Sequence, residues 1–501
     1  MKYRPEIDGL RALAVLPVIA FHGGATWMPG GFIGVDIFFV ISGFLITGLI
    51  AGEMQAGTFS LARFYERRVR RILPALFLVM LCCIPLAWFL MGPTQTRDFS
   101  QSLIAVPLFV SNVLFWRESG YFDGAAEEKP LLHTWSLGVE EQFYLIFPLV
   151  LLMLWRLGRR PVFYVIFAAA LLSLIASDIA SRLSPNANFY LAPFRFWELA
   201  AGSLCALTMR RVQIKPSLWL SLLGLAMVLI SVFIFNENSR LPSLHMLFPV
   251  VGTCLILLYA GGTEIEKLLS FSPLAGIGLI SYSAYLWHQP LFAFARIASP
   301  ATPSAALMFT LAALSLILAY LSWRYVEQPF RRKTGPVLPS RIQLFVVGLL
   351  VSLGFIVIGF AGHATDGAKF RYNLTKLQNS YLETAASSPM RGQCHAGNSK
   401  PIAPQNACEY GGADIRVAVY GDSHGVELAY ALSSQLKKYE TGLKHLTHSA
   451  CIRSSKPKNA NFPCQIWARN ALAYLKASPD ISHIVITYRL NADLFGPHEG
   501  I

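Results

Sequence analysis

The chain has 501 residues, of which 54% are hydrophobic and only 14% are charged, and its mean hydropathy is +0.47. Soluble domains usually carry about 25% charged residues, so these values exclude a single soluble globule and favour a membrane protein. The net charge of +14, from 42 Lys and Arg against 28 Asp and Glu, favours basic cytoplasmic loops beside a membrane over nucleic-acid binding.

Apolar runs predict the membrane helices. They lie near residues 10–26, 32–50, 72–92, 98–117, 136–155, 162–181, 195–209, 216–235, 244–260, 275–297, 304–325 and 342–362. The basic connections belong in the cytoplasm by the positive-inside rule; they are residues 63–71, 156–160, 210–215 and 331–341. This sidedness requires the run at 98–117 to enter and leave on the outer side as a re-entrant element, buried in protein. The sequence therefore predicts eleven spans, a cytoplasmic N-terminus and an extracytoplasmic segment after residue 362.

The first run contains two ionisable side chains, Arg11 and His22. Their spacing puts both on one helix face, about 16 Å apart along the axis. Intramembrane ionisable residues usually face protein or a water-filled cavity and are functional, so this pair is a candidate site. The alternative is that Arg11 snorkels to the inner headgroups while His22 lies in the outer interface.

Further polar candidates lie at the predicted span ends. Arg68 and Arg71 are at the inner end of the third run, where an arginine pair can bind phosphates, although such residues also set topology or contact anionic lipid. The outer ends collect side chains that form a candidate polar pocket: Asp36, His133, Glu140, Glu141, Arg195, Glu198 and His288. Arg195 and Glu198 have the spacing of an ordinary helix ion pair.

The composition changes after residue 362. Residues 363–412 are polar and loop-like, and an α/β pattern follows. We predict strands and helices near 416–420, 426–438, 443–447, 464–476 and 481–488, in the order β, α, β, α, β. This alternation predicts a parallel sheet with right-handed crossovers. The predicted fold class is an all-α polytopic membrane bundle of about ten spans plus one linking span, followed by a partial three-layer α/β domain.

Half of the eight cysteines lie in the external part of the chain: Cys394, Cys408, Cys451 and Cys464. An even number of cysteines in an oxidising compartment suggests disulfides. Close spacing favours Cys394–Cys408 and Cys451–Cys464, although four cysteines allow three connectivities. Metal binding is the less favoured interpretation of these four cysteines. The other cysteines lie in spans and are interpreted as packing residues; they are Cys82, Cys83, Cys205 and Cys254.

Five motifs, taken together and in order, resemble the acyltransferase-3 family of membrane O-acyltransferases. They are Arg11 with His22, Gly34-Val-Asp-Ile-Phe-Phe-Val-Ile-Ser-Gly-Phe44, Arg68 with Arg71, His133-Thr-Trp-Ser-Leu-Gly-Val-Glu-Glu-Gln-Phe-Tyr144, and Tyr285-Leu-Trp-His288. The external part resembles the SGNH hydrolase domain often fused to this family behind one extra span, with Gly421-Asp-Ser-His424 as its nucleophile block. The implied division is an acyltransferase membrane domain at 1–335, an additional membrane helix at 336–365, an extracytoplasmic linker at 366–412 and a partial SGNH-like domain at 413–501.

The resemblance implies an enzyme that transfers an acyl group, usually acetyl, from cytoplasmic acetyl-CoA or another acyl-CoA. The acceptor would be a hydroxyl of an extracytoplasmic polysaccharide or lipid-linked glycan, commonly lipopolysaccharide O-antigen. The resemblance further implies a bacterial inner membrane protein surrounded by lipid, with a periplasmic or extracellular C-terminal domain and neither a metal nor a nucleic-acid partner. Arg68 and Arg71 would hold the CoA phosphates, His22 would act as general base, and Arg11 would orient the donor or stabilise oxyanion charge.

Ser423 would be the SGNH nucleophile, at a strand-to-helix turn where the helix N-terminus favours negative charge. Taken alone, Asp422 and Ser423 indicate a helix N-cap; the family resemblance favours the nucleophile. The chain departs from the SGNH pattern because no Asp-x-x-His follows Ser423, and Asp493 and His498 have the wrong spacing. Asn491 is a candidate oxyanion asparagine without the expected preceding glycine. We therefore expect an incomplete triad and a truncated domain.

Two other functions remain open. A polytopic exporter of a lipid-linked glycan or acyl donor would share the span count and the outer polar pocket, but would not need Arg68 and Arg71 beside His22. A membrane-anchored carbohydrate esterase would place all chemistry at Ser423, and the missing Asp-x-x-His counts against it.

Overall fold

The computed structural model describes residues 3–119, 125–156, 158–236, 239–299, 301–332, 337–372, 388–397, 401–449 and 463–488. The chain divides into two compact units, Met1–Arg371 and Tyr372–Ile501. The first, called the membrane unit below, is helical in its described residues. The second, called the sheet unit, contains a four-stranded sheet.

The α-helices of the membrane unit account for most of its described residues. They are α1 Pro5–His22, α2 Gly34–Gln55, α3 Leu61–Leu90, α4 Pro93–Ala105, α5 Ser111–Arg117, α6 Thr134–Trp155, α7 Arg159–Leu183, α8 Pro185–Tyr190, α9 Ala192–Arg211, α10 Leu218–Ile234, α11 Leu247–Tyr259, α12 Glu264–Leu269, α13 Ser272–Ala298, α14 Ala305–Ser322, α15 Gln328–Arg331 and α16 Arg341–Ala364. Local sequence fixes several starts. Ser60, for example, accepts a hydrogen bond from the backbone N–H of Arg63, an N-cap that sets where the arginine-rich turn of α3 begins.

A helix occupies each of the eleven runs predicted to span a membrane. Within the described residues, six helices are long and apolar enough to do so: Gly31–Gln55, Leu61–Leu90, Thr134–Trp155, Arg160–Leu183, Ala305–Arg331 and Arg341–Ala364. Two more, Leu218–Ile234 and Leu244–Tyr259, are apolar but shorter. The protein is therefore a multi-pass membrane protein, while eleven crossings and their sidedness stay predictions.

The other three predicted spans are α1, α9 and α13. Helix α1 carries Glu6, Asp8 and Arg11 within 18 residues, and charged groups in a membrane helix must face protein or water. Glu6 and Asp8 are buried and Arg11 is half-buried, so α1 lies inside the unit. The run at 98–117 is divided between α4 and α5, of 13 and 7 residues, both shorter than the roughly 20 residues of a spanning helix.

Glycines allow the inner helices to approach closely. A Cβ atom placed on Gly278 of α13 would lie 1.7 Å from the carbonyl oxygen of Asp8 in α1, and one on Gly202 of α9 would lie 1.9 Å from that of Val40 in α2. Small residues at such contacts let helix backbones pack directly, which is the usual basis of helix association in membranes. Helices α1 and α2 are thereby held against α13 and α9.

The sheet of the sheet unit has the strand order β1-β3-β2-β4. Its strands are β1 Glu409–Gly411, β2 Asp414–Gly421, β3 Thr441–Thr447 and β4 His483–Thr487. β2 pairs in parallel with β3 and β4, which confirms the three predicted strands and their direction. β1 pairs antiparallel to β3 and was not predicted, because three residues are too few to show a periodic pattern.

Helices cover both faces of this sheet. The described helices of the unit are α17 Arg391–Cys394, α18 Gly425–Leu436 and α19 Pro463–Lys476. On one face, Ala429 of α18 packs with Val417 and Val419; on the other, Trp467 of α19 packs with Ala418 and Tyr420. Alternate residues of β2 thus face opposite helices, as the two-residue period of a strand requires. The predicted three-layer arrangement is confirmed.

The predicted disulfide between Cys394 and Cys408 is confirmed. The second predicted pair includes Cys451, which lies outside the described residues. The four cysteines assigned to packing are free, and each is buried or half-buried.

We predict that Gly278→Ala destabilises the membrane unit by about 1–3 kcal/mol, the usual cost of overpacking, because the new Cβ meets a backbone oxygen that cannot move away. The matched control is Gly276→Ala, two residues earlier in the same helix, where a Cβ would meet nothing within 4 Å. Thermal unfolding of the purified full chain in detergent measures the difference. Equal melting temperatures for the two variants would contradict this account of the α1–α13 contact.

Candidate functional site

One cavity of the membrane unit, called the larger cavity below, has a volume of about 760 Å³. Helices α1, α2, α3, α6, α9 and α13 form its walls. Its charged lining residues are Arg11, Glu53, Arg68, Arg71, Glu140 and Arg210, and the rest of the wall is mainly apolar. A cavity of this size with excess positive charge suits an anionic ligand that also has an apolar part.

Four arginines in the first turns of α3 lie on two faces of the helix: Arg67 and Arg70 on one, and Arg68 and Arg71 on the other. Arg67 pairs with Glu53 at 2.9 Å. Arg70 pairs with Glu66 at 3.1 Å and donates to the carbonyl oxygens of Val337 and Leu338. These two arginines therefore have acidic partners within the protein. Sequence reasoning missed this role of Arg70, since its partners in residues 337–339 are remote in the chain.

Arg68 and Arg71 lie on the other face and line the larger cavity, at the three-residue spacing that places side chains together on a helix. The Arg68 guanidinium lies over the rings of Phe64 and Tyr144, 5.9 and 5.7 Å from their centroids. Arg71 makes no hydrogen bond or ion pair with any described residue. Because an unpaired cation inside protein is costly, this pair is suited to receive an anion from outside.

Arg11 and Glu140 line the same cavity. Arg11 pairs with Asp8 at 3.1 Å. Glu140 accepts hydrogen bonds from Ser42 at 2.9 Å and Tyr144 at 2.8 Å. Glu140 is thus held beside the arginines by two hydroxyl groups.

A smaller cavity of about 60 Å³ lies beside the histidines. His22 and His133 line it, and Nδ1 of His22 lies 3.1 Å from Nε2 of His288. The His133 ring contacts those of His288 and Tyr285, at centroid distances of 5.6 and 5.4 Å. The structure therefore brings three histidines together, and two of them, His22 and His133, line this small space.

Val35 and Tyr285 line both cavities. Arg11 lines the larger cavity and His22 the smaller one, so the predicted pair on α1 serves two adjoining spaces. Sequence reasoning missed Tyr285 as a site residue, although it opens the Tyr285-Leu-Trp-His288 motif. Its hydroxyl donates to the carbonyl oxygen of His133 at 3.0 Å, which ties α13 to the start of α6.

Apart from the Arg195–Glu198 ion pair, the proposed pocket residues are not brought into one space. His133 and Asp36 line the smaller cavity, while Glu140 lines the larger one. His288 contacts His22. Glu141 lines neither cavity, and one of its carboxylate oxygens is buried without a described partner.

Asp36 is occupied by Arg195, which also contacts Glu198 at 3.3 Å. The Arg195 guanidinium lies over the rings of Phe39 and Trp135. All three charged side chains are buried, and Arg195 lies between the two carboxylates as their shared cation. Both carboxylate oxygens of Glu198 lack a hydrogen-bond partner among the described residues. The predicted Arg195–Glu198 ion pair is confirmed, and Asp36 is part of it.

In the sheet unit, Ser423 lies at the turn between β2 and α18, as predicted. Oδ1 of Asp422 accepts a hydrogen bond from the backbone N–H of His424 at 2.9 Å and lies 2.9 Å from Nδ1 of its ring. Arg391 donates to the carbonyl oxygen of Ser423 at 3.1 Å and pairs with Glu427 at 2.6 Å. Among the described side chains, none hydrogen-bonds the Ser423 hydroxyl. Asn491, Asp493 and His498 lie outside the described residues.

A hydrogen-bonded row of polar side chains crosses the end of β3 beside this turn. It links Tyr410 to His445 at 2.5 Å, His445 to Thr447 at 2.6 Å, Thr447 to His395 at 2.8 Å and His395 to Ser449 at 2.9 Å. Thr447 is the register partner of Gly421, two residues before Ser423. Sequence reasoning missed this row, although the alternation of His445 and Thr447 on one strand face was visible.

No group of three or more His, Cys, Asp or Glu side chains in the described ranges is arranged to hold a metal ion.

Comparison with known proteins gave two family matches. A family model described as an acyltransferase domain matches residues 4–324. A second, described as an SGNH domain fused to such acyltransferase domains, matches residues 393–500. No solved structure matches the chain.

Individual relatives agree with these matches. The chain is 33% identical over 353 residues to the peptidoglycan O-acetyltransferase OatA of Listeria monocytogenes, covering 66% of this chain and 56% of the relative. It is 32% identical over 378 residues to the O-acetyltransferase OatA of Staphylococcus aureus, covering 70% and 62%. The chain thus spans less than two thirds of the length of these relatives.

Acidification should weaken the sheet unit. Burial lowers the pKa of His395 and of His445 from 6.5 to about 4, so the unfolded chain binds more protons than the folded chain between those values. Stability is then fully present above pH 6.5 and is lost as the pH falls toward 4.

Hydrogen exchange of β3 peptides in the full chain, corrected for intrinsic exchange rates, measures this loss. His445→Gln keeps a hydrogen-bonding side chain without titrating, and should show a weaker dependence on pH. The same pH dependence in wild type and variant would contradict the prediction.

Proposed function

This chain belongs to the acyltransferase family whose domain model matches residues 4–324, and on that premise we propose that it O-acetylates an extracytoplasmic glycan with acetyl-CoA as donor. The observation that carries the proposal is the cavity in which Arg68 and Arg71 face an open space without protein acceptors. Two adjacent cations of this kind match the phosphates of a coenzyme A better than a neutral ligand.

The donor fits this cavity by chemistry as well as by charge. Acetyl-CoA combines phosphates with an apolar pantetheine arm, and the cavity combines arginines with apolar walls. With the phosphates at Arg68 and Arg71, the arm would extend toward the wall of Val35 and Tyr285. Arg11, which lines the same space, is then available to orient the thioester or to stabilise negative charge on its oxygen.

His22 is the proposed general base. It lies across the shared wall from the arginines and borders the smaller cavity. An imidazole is the side chain best suited to remove a proton from a hydroxyl near neutral pH. His22 would therefore activate the acceptor hydroxyl, with the glycan on one side and the donor on the other.

The acceptor proposed first is peptidoglycan, because the similar protein of Listeria monocytogenes is named a peptidoglycan O-acetyltransferase. Lipopolysaccharide O-antigen, expected from the sequence, is the second candidate; both present sugar hydroxyls outside the cytoplasm. We place the protein in the bacterial cytoplasmic membrane with the sheet unit outside the cytoplasm. The Cys394–Cys408 disulfide supports that side, since disulfides persist in oxidising compartments.

Ser423 is proposed as a second acyl-carrying site. Its hydroxyl lies before the N-terminus of α18, where backbone N–H groups favour developing negative charge. Arg391 fixes the turn through the carbonyl oxygen of Ser423.

The function is tested by producing the full chain in a bacterial host whose own glycans lack O-acetyl groups. Mass spectrometry of its peptidoglycan and of its lipopolysaccharide then identifies the acceptor. Wild type should acetylate one of them, and His22→Ala should abolish the product. His245→Ala, at an exposed histidine outside both cavities, is the matched control and should retain the product. Absence of any acetylated glycan with folded wild-type protein would contradict the proposal.

The donor site gives a separate prediction. Arg68→Ala combined with Arg71→Ala should raise the Kd for acetyl-CoA by at least about tenfold, since hydrogen bonds to charged groups contribute about 1.5–3 kcal/mol each. The control is Arg63→Ala with Arg156→Ala, which removes the same charge from two exposed positions. Isothermal titration of the purified full chain measures both.

Raising the ionic strength should weaken wild-type binding more than binding by the Arg68/Arg71 variant, because salt screens the phosphate contacts. Equal affinities of the two double variants for acetyl-CoA would contradict the proposed donor site. Arg68 and Arg71 would then serve only to set the membrane topology.

A further inference from the structure

Three hydrogen-bonding groups connect α13 to α1: the Tyr285 carbonyl oxygen, the His288 ring and the His22 ring. The backbone carbonyl oxygen of Tyr285 lies 2.6 Å from Nδ1 of His288, one turn later in the same helix. Nε2 of His288 lies 3.1 Å from Nδ1 of His22, and the two rings are stacked with centroids 5.2 Å apart. Both nitrogens of His288 are thus engaged, while only one nitrogen of His22 is.

The direction of these hydrogen bonds follows from the carbonyl group. A carbonyl oxygen can only accept, so the hydrogen lies on Nδ1 of His288. A neutral imidazole protonated at Nδ1 has a lone pair at Nε2, which therefore accepts from the neighbouring ring. The hydrogen between the rings belongs to Nδ1 of His22, and Nε2 of His22 is left unprotonated.

A doubly protonated His288 does not fit its surroundings. Its side chain is fully buried, and no carboxylate lies within ion-pair distance of it among the residues that the structure describes. An unpaired buried charge is strongly unfavourable, so the neutral form is the one compatible with this environment.

We propose that His288 is a positioning residue that holds His22 in the tautomer with an unprotonated Nε2. The inference rests on the proposed function, in which His22 is the general base. Nε2 of His22 has no hydrogen-bond partner among the described residues, and the ring is only half-buried beside the smaller cavity. The lone pair is therefore free to meet a hydroxyl.

The proton balance of the step is simple. The acceptor hydroxyl gives its proton to Nε2 of His22 as its oxygen forms a bond to the acyl carbon. The carbon–sulfur bond of the thioester breaks, and the electron pair leaves on the coenzyme sulfur. The proton on Nε2 then passes to that sulfur and gives a free thiol. Nδ1 of His22 keeps its hydrogen throughout, held by Nε2 of His288.

The tautomer is tested directly by nitrogen-15 NMR of the full chain with labelled histidine, in lipid at pH 7.5. The His22 signals are identified by their loss in His22→Gln. We expect Nδ1 of His22 to be protonated and Nε2 to be unprotonated in wild type, and the opposite tautomer to appear in His288→Leu. A protonated Nε2 of His22 in wild type would overturn the proposal.

Kinetics test the consequence for catalysis with acetyl-CoA and soluble peptidoglycan fragments. His288→Leu should lower kcat by about 100-fold, within the range of general-base effects, with the KM for acetyl-CoA changed less than about twofold. His288→Gln, whose side-chain carbonyl can accept from Nδ1 of His22, should recover kcat to within about tenfold of wild type. Equal losses in the Leu and Gln variants, with both folded, would reduce His288 to a packing role and overturn the proposal.

The two hypotheses fail in different ways. If His22→Ala retains wild-type acetylation, the role of His22 is wrong, although the NMR tautomer would be unchanged. If His22→Ala is inactive but His288→Leu keeps the wild-type kcat, the general base stands and the positioning role of His288 is wrong.

Discussion

The membrane unit depends on one constraint: a charge inside an apolar helical bundle needs a partner. Removing one partner of a buried pair typically costs about 3–5 kcal/mol, because the other charge stays behind without solvent. Arg195 meets this requirement with Asp36 and Glu198, and Arg70 with Glu66 and backbone carbonyls. Arg71 has no such partner among the described residues. Arg71 therefore departs from the pairing that the other buried arginines show. Because it lines the larger cavity, that cavity is where the bundle offers a cation without an acceptor.

Two pairs of helices that carry polar site residues pack closely at glycines. α1 meets α13 at Gly278, and α2 meets α9 at Gly202. These contacts hold Arg11 and His22 of α1 against His288 and Tyr285 of α13, and they hold Asp36 of α2 close enough to reach Arg195 of α9. The glycines thus determine which polar groups meet, since a side chain at either position would separate the helices.

The sequence predicted which side chains share a face of one helix. It did not predict which side chains of different helices come into contact. The three-residue spacing of Arg68 and Arg71 was enough to place both in one cavity. In contrast, Asp36 pairs with a residue 159 positions away, and His22 meets a residue 266 positions away. In a single sequence, such residues are recognised only as polar positions flanked by apolar ones. That pattern is the same for a structural ion pair and for a substrate pocket. For that reason the sequence pattern alone groups Asp36 and Glu140 with the histidines. In the sheet unit, buried apolar runs predicted the three long strands, and cysteine spacing predicted one disulfide. The hydrogen-bonded row from Tyr410 to Ser449 could not be predicted, because it depends on the register between strands.

The shared wall of the two cavities has a consequence for the cell's energy supply. Val35 and Tyr285 stand between a space lined by arginines and a space lined by histidines. In the proposed reaction, the donor and the acceptor arrive from opposite faces of the membrane and meet between them. If both spaces were joined by water, protons and other ions would flow through and discharge the membrane potential. An aliphatic side chain and a tyrosine whose hydroxyl is already bonded to a backbone carbonyl give water little to bind where the two spaces adjoin. In the proposed function, the membrane would then stay electrically insulating while an acyl group is transferred across it.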